Sequence, residues 1–163
     1  MAKKKILAKA ATATAALMIS LGAVASDDHG GGHRDGHNTA TVIGKPGLSD
    51  KVSRTIDINM TDAMRFMPSD VEVKAGETVR FNVTNSGRIR HEMVLGTEAN
   101  LDAHYQMMLS DSGMRHEEPN SISLPSGKTG EIVWQFDKAG RVAFACLEPG
   151  HYPAGMKGAV SIK

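Results

Sequence analysis

An internal disulfide is excluded at the outset, because the 163 residues include one cysteine, Cys146. The same count rules out a four-cysteine or CxxC metal site. Aromatic residues are scarce, at 4% with a single tryptophan, so aliphatic side chains and adaptable methionine must fill most of any core. Charge of one sign is also missing. The formal net charge is +1, which leaves no case for a basic nucleic-acid surface or a polybasic membrane patch. The length allows one compact core and not two. What the chain has in excess is ten methionines and seven histidines, two residue types that share the habit of binding transition metals.

The basic residues are unevenly placed. Lys3, Lys4, Lys5 and Lys9 lie within the first 25 residues, where no acid occurs, so acids outnumber bases in the remainder. The start MAKKK, an apolar stretch through Ala10 to Val24 and the small-residue ending Ala23-Val24-Ala25 form the three parts of a secretory signal, predicting cleavage after Ala25. The stretch is rich in Ala and Thr and broken by Lys9, poor material for spanning a bilayer. A lipid anchor would need a cysteine just after the cut, and none is there. The expected location is therefore a bacterial periplasm, with no stable membrane insertion of the mature chain.

Residues 26–50 are rich in Gly, Asp and His without apolar period, and predict a flexible leader that cannot bury enough surface to offset its ordering entropy. His29, His33 and His37 recur at every fourth position near Asp27, Asp28 and Asp35, a tract that can collect metal. Gly30, Gly31, Gly32 and Gly36 oppose a helix there. These histidines are candidate accessory metal donors.

From residue 51 the pattern turns to strands. Ile56 and Ile58, Val71 and Val73, and Val79, Phe81 and Val83 alternate with polar neighbours, the two-residue period of a sheet with one face buried. Ile89 to Leu95, Ile122 with Leu124, Ile132 to Phe136, Val142 to Cys146, and Val160 with Ile162 continue it. Asn85-Ser86-Gly87, Pro125-Ser126-Gly127 and Lys138-Ala139-Gly140 separate the runs as turns. Seven or eight short strands at this spacing predict an all-β antiparallel sandwich over 51–163. Glu98 to Leu109 predicts one helical excursion with Leu101, Tyr105, Met108 and Leu109 on its stripe.

The chemistry concentrates between Val142 and Gly158. Cys146 ends a strand, His151 follows five residues later across Pro149-Gly150, and Met156 five after that across Pro153 and Gly155. A thiolate, an imidazole and a weak thioether on one loop suit copper moving between Cu(II) and Cu(I), provided a second imidazole joins them. His91 is the candidate: if Ile89, His91 and Met93 face inward, Arg90 and Glu92 face out. A nucleophilic Cys-His pair is the competing chemistry, but no residue orients the histidine and no Gly-rich oxyanion loop accompanies it. Met60, Met64 and Met67, and Met107, Met108 and Met114 near His104 and His116, read either as core filling or as an accessory Cu(I) site.

Phe144 to Gly158 (FACLEPGHYPAGMKG), the upstream His91 and the opening Pro68 to Val79 (PSDVEVKAGETV) resemble the cupredoxin family of type 1 copper proteins over roughly residues 54–163. The His-Glu-Met run, the histidine leader and the methionines are most similar to the periplasmic green cupredoxins of the CopI type, associated with copper tolerance. The resemblance implies a Greek-key sandwich or barrel of about eight strands. It also implies one type 1 copper with His91, Cys146 and His151 as equatorial ligands and Met156 as the axial one. A binuclear centre would need a second cysteine in the loop. Many family members follow the upstream histidine with Asn, which ties the two ligand loops together; this chain has Glu92. Two roles follow from the resemblance, both of binding or carrying rather than catalysis. One is copper tolerance through binding and redox buffering; the other is an electron shuttle that meets a redox protein partner near His151.

Overall fold

The computed structural model describes residues 43–110 and 118–163. The signal segment and His29, His33 and His37 therefore lie outside the described residues, as do Met114 and His116. Among the described residues ten strands, one α-helix and a short 3-10 turn (Ser49–Lys51, between β1 and β2) follow in order: β1 (Lys45–Pro46), β2 (Arg54–Thr61), β3 (Arg65–Met67), β4 (Asp70–Val73), β5 (Thr78–Asn85), β6 (His91–Gly96), α1 (Glu98–Ser110), β7 (Ser121–Leu124), β8 (Thr129–Gln135), β9 (Gly140–Ala145) and β10 (Lys157–Ile162). They form two five-stranded sheets, β1-β8-β5-β2-β3 and β4-β10-β9-β6-β7.

The expected sandwich is present, and its eight anticipated strands correspond to β2 and β4 to β10. Two further strands, β1 and β3, are only two and three residues long, too short to show a period. The sheets are not purely antiparallel: β2 pairs with β5, and β10 with β4, in parallel. Alternation specifies which face is buried but not the direction of the neighbouring strand, so this mixed pairing has no signature in the residue pattern.

The packed domain also begins before residue 51. Ile43 is buried, and the Trp134 indole donates to its carbonyl oxygen at 2.8 Å. Residues 43–50 thus belong with the sandwich and not with the leader, because an apolar side chain and a backbone acceptor there complete the burial of Trp134.

The inward faces supply one apolar core. Val79, Phe81 and Val83 of β5, Ile132 and Trp134 of β8, Met93 and Leu95 of β6, and Val142 and Phe144 of β9 meet within it. Phe66 and Phe144 pack edge-to-face across the two sheets, with centroids 5.0 Å apart and planes at 83°, a geometry worth roughly 0.5–1.5 kcal/mol beyond its area. Methionine fills this core as expected: Met60, Met93 and Met156 are wholly buried.

A second, smaller cluster forms on the outer face of β6 and β9, where α1 lies. Leu101 and Tyr105 of the helix pack with Val94, Ala143, Ala145, Leu147 and Tyr152. The helical stripe is narrower than expected, since Met108 is only half-buried and Leu109 is exposed. Among the described residues no helix is long and apolar enough to cross a membrane.

Candidate metal centre

Strand register explains why distant residues meet at one end of the sandwich. β6 and β9 run antiparallel with Val94 opposite Ala145, so the first residue of β6, His91, lies at the same end as Cys146, which follows β9. β10 begins opposite that end, with Lys157 paired to Ala145. The intervening loop must leave and return there, and it carries His151 and Met156 with it.

One ligand atom each from His91, Cys146 and His151 fall within 4.8 Å of one another. Cys146 Sγ is 3.2 Å from His151 Nδ1, and the imidazoles of His91 and His151 lie 4.9 Å apart, tilted by 50°. His91 and Cys146 are inaccessible, whereas His151 is half-buried. The Nδ1 atom of His91 is buried and has no hydrogen-bond partner. A buried ring nitrogen without a partner is costly, and a metal shared with the thiol and the second imidazole would supply one.

The loop is cross-braced by its own backbone. The Cys146 N–H donates to the Met156 carbonyl at 3.1 Å, and the Met156 N–H to the His151 carbonyl at 3.1 Å. Met156 is thereby tied to both neighbours and shares the buried cluster that contains Cys146. Gly155 takes φ 91° at the final turn, a left-handed conformation for which glycine is suited. Arg65 Nη1 closes over this turn, donating to the Ala154 carbonyl at 3.0 Å and to its own neighbour Met64 at 2.7 Å.

Glu92 lies on the outer face of β6, as expected, but that face is covered. Its face of β6 lies under the loop, so it is half-buried. Its N–H donates to Cys146 Sγ at 3.3 Å. The backbone of Glu92 therefore links the strand of His91 to Cys146. Burial and the nearby Glu148 charge push its carboxyl up to about 7. Ile89 differs from expectation: it precedes the strand and is exposed.

Burial pushes the Cys146 thiol up to about 12, against the opposing N–H bonds from Glu92 and Glu148. A thiol held in its protonated form is a poor nucleophile. Burial first, and the adjacent His91 second, hold His151 below the ordinary imidazole range, favouring the neutral donor that a metal needs.

Four residues important to this geometry escaped the sequence pattern. Asp62 Oδ1 lies 3.1 Å from His91 Nε2, and the Arg88 backbone N–H holds the Asp62 carboxyl below its ordinary value. Gly87 leaves the room this approach needs. Arg65 braces the loop, and Tyr105 of α1 stacks on Tyr152 with centroids 5.3 Å apart while its hydroxyl accepts from Gly150 N–H at 3.4 Å. Of the methionines singled out in the sequence, Met60 is in the core, Met64 is half-buried, and Met67 and Met107 are exposed.

Residues 52–163 match the family model for copper binding proteins of the plastocyanin/azurin family. The copper-resistant cuproprotein CopI of Rubrivivax gelatinosus is 46% identical, over 99% of each chain. That of Pseudomonas aeruginosa is 37% identical over 75% of this chain and 83% of its own. Among solved structures, auracyanin B superposes with a TM-score of 0.61 at 21% identity, covering 74% of this chain and 96% of that one. The cluster of His91, Cys146 and His151 fits a type 1 copper site. The chain belongs to the plastocyanin/azurin family of copper-binding proteins.

Proposed function

We propose that this chain is a periplasmic protein that contributes to copper tolerance by binding copper and buffering its redox state, with His91, Cys146 and His151 as equatorial ligands and Met156 as the axial one. The observation that carries this reading is the buried, unpartnered Nδ1 of His91 in a cluster whose other donors are a thiol and a second imidazole. Copper held by such a set supplies one-electron chemistry between Cu(II) and Cu(I). The protein's part is to keep the donors in place. His91 is anchored on a central strand, Cys146 is bonded by the Glu92 N–H, and the His151 and Met156 backbones are bonded to each other. A frame braced in this way limits ligand movement when the charge changes.

His151 is the one member of the trio that reaches the surface, and so forms the route by which an electron enters or leaves. The names of the relatives, copper-resistant cuproproteins, support tolerance over a shuttle. The histidine leader fits a collecting role ahead of the main site, and the signal-like start fits export with cleavage after Ala25.

A deletion strain tests the proposal. Hypersensitivity to added copper, reversed by the wild-type gene and not by Cys146→Ala, is the expected result. Unaltered copper tolerance with a growth defect confined to one respiratory or photosynthetic mode would overturn it in favour of an electron shuttle. Fractionation with N-terminal sequencing checks the location: a mature chain that begins at Ser26 in the periplasmic fraction is expected.

A further inference from the structure

A neutral imidazole carries one N–H, and its placement on His91 is decided by what faces each nitrogen. Nε2 faces Asp62 Oδ1 at 3.1 Å, and a carboxylate only accepts. A proton on Nδ1 would leave a buried N–H without an acceptor and set the Nε2 lone pair against carboxylate oxygen. A proton on Nε2 satisfies the Asp62 contact and leaves Nδ1 bare, as its lack of any partner requires.

Asp62 is itself held in place. The Arg88 N–H donates to Oδ1 at 3.0 Å and to Oδ2 at 2.8 Å, and the Ile89 N–H approaches Oδ1 at 3.5 Å. These donors lie in the segment that leads into β6, so the carboxylate staples the strand carrying His91 to the end of β2. Position 87 admits no side chain: a Cβ there would collide with Asp62 Oδ1 and come within 3.0 Å of His91 Nε2. Gly87, in a turn that reads as ordinary punctuation, is required by this close approach. The Asp62 side chain is 38% exposed, so its direct charge is screened by water and its influence passes chiefly through the hydrogen bond.

We propose that Asp62 is a positioning residue for the centre: its bond to His91 Nε2 fixes the tautomer that presents a bare Nδ1 to Cys146 and His151, and its carboxylate makes that imidazole a stronger donor to Cu(II) than to Cu(I). A carboxylate behind a metal-binding histidine orients the ring and raises its basicity. The stronger donor favours the more highly charged ion, so the reduction potential is lower than a neutral partner would give. The electronic half of the proposal rests on the copper reading of the site; the tautomer half does not.

The experiment compares wild type, Asp62→Asn and Asp62→Ala as full chains. In the metal-free proteins, nitrogen NMR of the His91 ring reads the tautomer. Wild type and Asp62→Asn, whose amide oxygen still accepts, should hold the proton on Nε2, while Asp62→Ala should show a mixture. Retention of the pure Nε2–H tautomer in Asp62→Ala overturns the positioning role. In the copper-loaded proteins, Asp62→Asn should keep the intense thiolate-to-copper absorption while losing about tenfold in relative affinity for Cu(II) over Cu(I), which is ~59 mV upward for one electron. Asp62→Ala should bind Cu(II) about 10- to 100-fold more weakly. A wild-type potential in Asp62→Asn overturns the electronic role. If wild type with copper shows no absorption dependent on Cys146, the copper reading of these ligands fails, and the metal-free tautomer still decides the first half.

Discussion

The backbone N–H of Glu92 donates to Cys146 Sγ at 3.3 Å, while its side chain is half-buried beside the charge of Glu148. The strand that begins with His91 thus bonds the sulfur directly. The carboxyl meets the charge of Glu148 in a half-buried setting, and its affinity for a proton rises accordingly. This tie has a cost that pH exposes.

In the folded chain the Glu92 carboxyl titrates at about 7, against an ordinary value of 4.5. The stability associated with its protonated form is complete below about pH 4.5 and is lost as pH rises through about 7. Glu92→Gln keeps the size of the side chain and removes the charge. The metal-free variant should match wild type near pH 4 and exceed it by on the order of 1–3 kcal/mol at pH 8. Denaturant unfolding of both proteins at the two pH values checks this. His151, held below its ordinary value, shifts stability in the opposite sense, so the difference between the two proteins is the quantity to read.

The proposed ligand roles differ in what each substitution removes. Cys146→Ala should abolish the intense visible band of the copper-loaded protein, and His91→Ala should alter it strongly. Met156→Leu conserves volume in the buried cluster and should destabilise the fold by less than about 1.5 kcal/mol. It should keep copper and raise the reduction potential, because a weak axial donor that favours Cu(II) is gone. An unchanged spectrum in His91→Ala removes that residue from the ligand set, and an unchanged potential in Met156→Leu removes the thioether.

The extent to which the sequence discloses this arrangement follows from how local each signal is. Cys146, His151 and Met156 share one loop at five-residue spacings, and the alternation of β6 places His91 and Met93 on the core face, where both are buried. Asp62 and Arg65 lie far from the loop in sequence and read as solvated charges; only the pairing of β2 with β3 and β5 carries them to it. Alternation puts Glu92 on the far side of β6, which the pattern of one strand leaves open to solvent. The helix α1 and the copper loop cover that side with Leu101, Tyr105, Leu147 and Tyr152, and periodicity on one strand carries no information about a second layer.

Tyr105 offers a test of that second layer. It is nearly buried, stacks on Tyr152 beside His151, and accepts from Gly150 N–H. Tyr105→Phe keeps the stacked ring and should lower stability by about 1 kcal/mol through the lost hydrogen bond, with the visible spectrum unchanged. Tyr105→Ala should lower it by roughly 3–5 kcal/mol and speed amide exchange at Gly150 and His151. Thermal unfolding and hydrogen exchange measure both. Equal effects of Phe and Ala would mean that the ring does not support the loop.

Metal uptake should carry the imprint of the buried thiol. With Cys146 protonated up to about pH 12 in the metal-free protein, each bound ion must displace its proton, since the thiolate is the ligand. Affinity for Cu(I), measured against a chelator corrected for its own protonation, should therefore rise about tenfold per pH unit from this group and weaken correspondingly in acid. A thiol of ordinary acidity would make the curve level off near pH 8.5. For this protein the rise should continue through pH 9 and beyond, and iodoacetamide should modify the metal-free thiol slowly at pH 8. A plateau near 8.5 would show that the Glu92 and Glu148 N–H bonds outweigh the burial of the sulfur.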